Sequence, residues 1–265
     1  MNTIYEPKGR AKEYADLACN LFAGCDHRCA YCYAPGALFK AVEDFQRPAY
    51  RTGLLQALER EAAKRAGDPR HVLLCFSCDP YPHMDATARP VTRCAIQILH
   101  ENNLYVSILT KGGRRSRRDF DLLGPEDRYG TTLTFYDAMD SRRWEPGAAD
   151  PRDRIDALGA AKRLGVRTWV SLEPIIDLSQ TLQLIETTRE YVDEFRVGKF
   201  NHMTEDLRTR HPALYQRVAG IDWHYTALKV MEALEKTGVP YKIKKDLRYH
   251  LTVQPRLRRG ELARV

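Results

Sequence analysis

Asn20-Leu21-Phe22-Ala23-Gly24-Cys25-Asp26-His27-Arg28-Cys29-Ala30-Tyr31-Cys32-Tyr33 sets three cysteines in a Cys-x3-Cys-x2-Cys run. Three thiolates this close in one loop can hold three corners of a cubane iron–sulfur cluster, whereas full capping takes four. The run stops at three, which leaves one iron free to bind something else. An open coordination position is what separates a catalytic metal centre from a structural one. A zinc site would show paired Cys-x2-Cys knuckles or Cys/His pairs. Cys29 and Cys32 form one such pair with His27 nearby, but no second pair follows at finger spacing.

The surrounding chain suits that chemistry. It has 265 residues, enough for one large α/β domain with a proper core. Seven cysteines are an odd number, so a complete set of internal disulfides is impossible. The first ten residues are polar and lack the apolar core of a signal peptide. No apolar run approaches the length of a membrane span. Together these point to a reducing cytoplasm, where thiolates and an iron–sulfur cluster survive. The formal net charge of +7 favours polyanionic partners, nucleic acid first among them.

Outward from the cysteine loop, strand-like and helix-like segments alternate. Residues 18–23 read as a strand leading into the loop. Further strands are expected at 71–76, 104–110, 131–135, 166–172 and 194–198, with a last extended segment at 241–245. Helical spacing of apolar residues marks 54–66, 89–102, 151–164, 178–191 and 222–236, with a short helix at 118–123. Asp150 before Pro151 reads as an N-cap, and Gly165 and Gly238 as stop signals. Strands separated by helices imply a parallel sheet with right-handed crossovers. Six such units predict an α/β fold built as a partial (β/α)6 barrel of the TIM type; a doubly wound open sheet is the alternative. One domain is expected over residues 1–265, with its core at about 15–247 and a basic tail at 248–265.

In parallel barrels the loops after the C-terminal strand ends build the site. The cysteine loop follows the first strand and so lies where chemistry belongs. Polar residues recur at the later strand ends: Ser77 and Asp79, Lys111, Thr134, Glu173, and Asn201. Competing chemistries leave no trace, since there is no G-x-G-x-x-G, Walker loop, G-x-S-x-G elbow or His-Glu-x-x-His.

The cysteine spacing, with Tyr31 just before the third cysteine, resembles the signature of the radical S-adenosylmethionine (SAM) superfamily. Pro7-Lys8-Gly9-Arg10, Asp79-Pro80-Tyr81, Thr92-Arg93, Thr110-Lys111, Glu173-Pro174, Val197-Gly198, Asn201 and Lys244-Lys245-Asp246-Leu247 extend the likeness in order along the chain. They resemble the branch of spore photoproduct lyases and similar DNA repair enzymes. That resemblance implies a [4Fe-4S] cluster on Cys25, Cys29 and Cys32, with SAM on the open iron. One-electron cleavage of SAM then yields a 5′-deoxyadenosyl radical that abstracts hydrogen from the substrate.

It also implies roles for other residues. Lys111 matches the lysine that meets the SAM carboxylate, a charge-assisted contact. Ser77, Asp79, Thr134 and Glu173 fall where polar SAM contacts are expected. Tyr31 and Tyr33 flank the last cysteine, either as radical relays or as packing around the cluster. Cys75 falls at the distance of the lyases' hydrogen-donating cysteine, while Cys78 lies nearer the loop. The alternative is that Cys75 is a small buried hydrophobe, as free cysteines commonly are. The local order Cys75-Phe76-Ser77-Cys78-Asp79 departs from the lyase pattern, which weakens the expectation of dimer repair.

Basic clusters at 114–118, 242–248 and 256–259 suit phosphate contacts, and Tyr81 and Tyr249 are candidates for base stacking. The substrate implied is a pyrimidine or modified nucleotide, in DNA, acted on by a repair lyase or by an isomerase remodelling a base substituent. A reducing partner such as flavodoxin or ferredoxin would supply electrons. A tailoring enzyme for a small metabolite or peptide, and a nucleic-acid binder with a structural metal, are the rival readings.

Overall fold

The computed structural model describes residues 3–252. Ten strands occur in chain order among them. They are β1 (Ile4–Tyr5), β2 (Leu17–Cys19), β3 (Phe22–Ala23), β4 (Ala49–Tyr50), β5 (Val72–Leu74), β6 (Val106–Thr110), β7 (Arg128–Thr132), β8 (Arg167–Ile175), β9 (Glu194–Lys199) and β10 (Tyr241–Ile243). Eight form one sheet in the order β1-β2-β5-β6-β7-β8-β9-β10. Only β1 is antiparallel to its neighbour; from β2 to β10 every pairing is parallel. β1 and β10 are the two edges and do not pair, so the barrel is not closed.

Alternation along each strand decides between a partial barrel and a doubly wound sheet. Side chains of a strand point to opposite faces in turn. Val72 and Leu74 of β5 pack into the main core with Leu58 and Ile96 of the flanking helices. Leu73 between them joins a separate cluster with Ala18 and Trp169, against Tyr14, Phe76 and Leu109. The helices at Leu54–Lys64, Val91–Glu101, Pro151–Arg163, Leu178–Thr188 and Trp223–Thr237 all contribute to the first core and none to the second. A doubly wound sheet would put helices on both faces. Here one face carries the helices, and the other is an inner face plugged by Trp169, as a partial barrel requires.

The expected elements are present with shifted ends. Residues 18–23 split into β2 and the β3–β4 pair, because the chain turns away at Asn20 and Leu21. The strand expected at 131–135 is β7, which begins at Arg128 and ends at Thr132. Residues 113–122 wind as a 3₁₀ helix, longer and tighter than the short helix expected there. Asp150 precedes Pro151 but its side chain caps nothing; it lies 3.4 Å from the Arg142 guanidinium instead. Asp222 does cap its helix, accepting from the Tyr225 N–H at 2.9 Å, and Gly238 ends that helix with φ of 69°. Helices at Ala138–Trp144, Glu205–Arg210, Pro212–Ala219 and Lys245–Thr252 were not expected. The middle two are short and partly polar, and they pack in a third cluster with Trp144 and Phe200 beside the strand ends. The basic run at 256–259, with the rest of the tail beyond 252, lies outside the described residues.

Candidate active site

The cysteine loop runs from β3 across the C-terminal ends of the parallel strands. Backbone bonds moor it on both sides: the Cys25 N–H donates to the Phe45 carbonyl at 2.9 Å and the Ala30 N–H to the Trp144 carbonyl at 2.8 Å. Gly147 donates to the His27 carbonyl at 3.0 Å. A Cβ at Gly147 would lie 2.1 Å from the Asp26 carbonyl oxygen, so only glycine lets this segment lie against the loop.

Cys25, Cys29 and Cys32 line a cavity of about 300 Å³. Each parallel strand from β5 to β10 sends residues to its wall from its C-terminal end: Cys75, Ser77, Cys78 and Asp79 after β5, Lys111 after β6, Thr132 from β7, Glu173 from β8, Asn201 after β9 and Lys244 after β10. Burial raises the Cys25 and Cys29 thiols, Cys29 to about 12. Thiols must be deprotonated to bind metal. The site therefore favours thiolates only when a cationic centre sits among them. Three thiols on one cavity wall can serve as ligands to three corners of a cubane cluster.

Lys111 extends this wall. Its ammonium forms no ion pair among the described residues and lies 5.5 Å from the Tyr31 ring centre. Burial alone would lower its pKa, but Cys29 and Glu145 nearby outweigh burial and raise it. A charged, unpaired ammonium facing a cavity is suited to a ligand carboxylate.

Asp79 is engaged by the protein. Its Oδ1 accepts from the Thr110 hydroxyl at 2.7 Å and the Tyr81 N–H at 2.8 Å, and its Oδ2 from the Lys111 N–H at 2.8 Å. Burial would raise this carboxyl, yet His27 and these donors hold it below its usual value. His27 Nδ1 lies 3.4 Å from Oδ2, and Arg115 approaches Nε2 at 2.7 Å. Burial, with Arg115 alongside, pulls His27 down to about 4, so it is neutral. Asp79 thus fixes the backbone of Lys111 as well as facing the cavity.

Two Tyr–Glu–cation sets stand in the walls. Tyr31 donates to Glu145 and lies 2.9 Å from the Thr134 hydroxyl, while Glu145 pairs with Arg154 at 2.6 Å. Glu145 and Arg154 are fully buried behind the wall, and Thr134 is behind it too, touching Tyr31 rather than the cavity. Tyr14 donates to Glu173, which pairs with Lys244, and all three line the cavity. A Cβ at Gly198 would stand 2.7 Å from the Glu173 carboxyl carbon, so glycine here leaves the carboxylate its place.

Cys75 and Cys78 are both buried thiols, free of disulfides, at the cavity wall. β5 ends at Leu74, so the chain bends between them and lets both face inward. Burial first, then Cys78 beside it, raises the Cys75 thiol well above its ordinary value. Asn20 shapes this bend by accepting from the Phe76 and Ser77 N–H groups at 2.8 and 2.9 Å. Tyr33 is partly exposed; its hydroxyl donates to the Phe76 carbonyl at 3.2 Å and its ring stacks on His202 at 5.3 Å.

Tyr81 is a correction. It is completely buried with the Arg118 guanidinium over its ring, and cannot stack on a base. Two arginines of the 114–118 run also face inward, Arg115 toward His27 and Arg118 to Asp85 at 2.5 Å. Glu145, Arg154 and Tyr14 escaped the sequence reading altogether, since each looks like an ordinary helix or loop residue. Lys244 was legible as part of a basic run and of the family resemblance, with no role of its own.

The sequence matches the model of the Radical SAM superfamily over residues 19–192. Among solved structures, a cysteine-to-serine mutant of spore photoproduct lyase aligns with TM-score 0.67 and 12% identity, over 90% of this chain and 78% of that one. A doubly substituted form of that lyase, with bound AdoMet and dinucleoside spore photoproduct, aligns with TM-score 0.64 and 13% identity, over 91% and 79%. Streptococcus suis SuiB bound to S-adenosylmethionine aligns with TM-score 0.60 and 13% identity, over 83% of this chain but 48% of its own. No curated protein matches the sequence.

Proposed function

Because the chain belongs to the radical SAM superfamily, an enzyme family that uses a [4Fe-4S] cluster and SAM, we propose that Cys25, Cys29 and Cys32 hold the cluster and that the cavity beside them takes SAM and a pyrimidine nucleotide. The observation that carries this reading is the convergence of the three thiols and the unpaired Lys111 ammonium on one wall of one cavity. When bound, the cluster and SAM supply a radical that removes a hydrogen atom from the substrate. The protein's part is to bind and orient. Lys111 meets the SAM carboxylate, Ser77 and Glu173 offer polar contacts, and Asp79 holds the Lys111 backbone in place.

The substrate is a pyrimidine base or modified nucleotide in DNA, and the outcome is bond cleavage by a lyase or rearrangement by an isomerase. The likeness in fold to a lyase that binds a dinucleoside photoproduct supports this reading, as does the net positive charge. Cys75 and Cys78 at the cavity wall are candidates to return a hydrogen atom; an isomerase would not need them. A flavodoxin or ferredoxin supplies the electron, in a reducing cytoplasm. Among the described residues no helix is long and apolar enough to cross a membrane. A second reading, a peptide-tailoring enzyme, is favoured only by the likeness to SuiB, one of whose structures holds its precursor peptide.

The test is anaerobic reconstitution with iron and sulfide, reduction, and addition of SAM with thymine-dimer DNA, unmodified DNA or DNA bearing substituted pyrimidines. We expect 5′-deoxyadenosine, or SAM-dependent product without net SAM consumption, together with a mass change in one DNA. Cys29→Ala should lose the cluster's iron and visible absorbance. Retention of a full cluster by that variant would refute the ligand assignment.

A further inference from the structure

Beside the cavity runs a groove lined by Gly9, Lys12, Glu13, Lys242, Lys245 and Arg248 among others. It comes from two distant pieces of chain: the 3₁₀ helix Gly9–Glu13, and the segment from β10 into the helix Lys245–Thr252. The same two pieces each send one residue into the cavity, Ala11 from the first and Lys244 from the second. Groove and cavity therefore share a rim, and a polymer lying in the groove would pass the mouth.

The groove's charges are available. Lys12, Lys245 and Arg248 are exposed. None of them forms an ion pair with a described residue; Arg248 donates only to the Ile243 carbonyl, at 2.9 Å. The two acids of the groove are turned to other tasks. Glu13 accepts from the Lys245 N–H at 3.1 Å, and Asp246 accepts from the Asn201 side chain and the Leu247 N–H. Lys242 donates to the Glu13 carbonyl at 2.8 Å, which ties the two pieces together. Exposed cations left unpaired next to a reaction cavity repel one another and persist where an anion joins them.

We propose that this groove binds the phosphodiester backbone of a single DNA strand, with Lys12, Lys245 and Arg248 on successive phosphates, so that one base enters the cavity. The proposal rests on the nucleotide reading above and adds to it the path of the strand. Backbone contacts of this kind position a strand without reading its sequence. They also displace counterions, so they are counted by salt dependence.

The probe is fluorescent oligothymidylate titrated into cluster-loaded enzyme across a series of salt concentrations. The Lys12→Ala/Lys245→Ala/Arg248→Ala variant should bind more weakly. The slope of log K against log salt should fall by about 2, since each single-strand phosphate contact contributes about 0.7. A control is Arg152→Ala/Arg163→Ala. These arginines line a different groove that shares no residue with the cavity, and their removal should leave the slope unchanged. Melting curves of both variants guard against misfolding, and Lys245→Glu alone should repeat the loss with less perturbation. If the wild type binds with a steep slope and the first variant keeps it, or the control loses it, the groove assignment is wrong while the nucleotide reading survives. If the wild type itself shows no salt-dependent binding, both fall.

Discussion

Two sets of identical chemistry flank the cavity and behave differently. Tyr31–Glu145–Arg154 and Tyr14–Glu173–Lys244 each place a phenol on a carboxylate held by a cation. In the first, carboxylate and cation are sealed from solvent. Arg154 also donates to the Ala149 carbonyl at 2.7 Å, the Thr132 carbonyl at 3.0 Å and the Ser141 hydroxyl at 3.2 Å, joining a helix to the end of β7. In the second, the whole set faces the cavity, and Lys244 has one carboxylate partner and the Tyr14 ring 3.3 Å away. A planar guanidinium with five donors can be satisfied wholly by protein, whereas an ammonium is a compact point charge. The titration shifts follow suit. Against burial, Glu145 raises Arg154; burial lowers Lys244, with Glu173 opposing it. One set is a strut of the barrel and the other a part of the cavity wall.

The largest effect should come from breaking the strut. Arg154→Met leaves Glu145 buried and unpaired, a loss of roughly 3–5 kcal/mol. Chemical denaturation should show it, and a loss below about 1 kcal/mol, the scale of an exposed pair, would mean the strut is no strut. Next, Tyr31→Phe removes a hydrogen bond to a buried charge and should cost about 1.5–3 kcal/mol. Tyr14→Phe should cost less, because Glu173 can turn to cavity water; equal losses would erase the contrast. Glu173→Gln should change stability by under about 1 kcal/mol while weakening SAM binding about tenfold, which is about 1.4 kcal/mol. Calorimetric titration of the reconstituted enzyme measures this, and unchanged affinity would remove Glu173 from the proposed SAM contacts.

The smallest effect concerns pH. Lys244 is lowered in the folded protein, so the unfolded chain binds more protons between its folded value and the ordinary lysine value of about 10.4. The cost of its burial is present in full below the folded value and is relieved as pH rises from there to the ordinary value. Wild-type stability relative to Lys244→Met should therefore rise with pH in this window. Glu173, Asp246 and Glu13, which favour its charged form, limit the gain. A fall instead would show that the pair with Glu173 outweighs burial.

Much of this was legible along the chain. The cysteine spacing, the alternation of strands and helices, and polar residues at successive strand ends are local signals, and Lys111, Ser77 and Asp79 were found from them. Tyr81 misled because Asp-Pro-Tyr looks like an exposed turn, while Arg118 and the 3₁₀ helix cover it. Thr134 was placed at a strand end, but β7 stops two residues earlier and turns the hydroxyl to Tyr31.

By itself, then, the sequence determined the three-cysteine loop and the class of the fold, since both arise from short-range spacing and strand or helix periodicity. Tertiary structure alone decided the walls. Tyr31 meets Glu145 across 114 residues and Tyr14 meets Glu173 across 159. An isolated Glu, Arg or Lys in a sequence reads as a solvated charge. Whether it becomes strut or ligand depends on which partner the folded chain brings to it and whether water can still reach the pair.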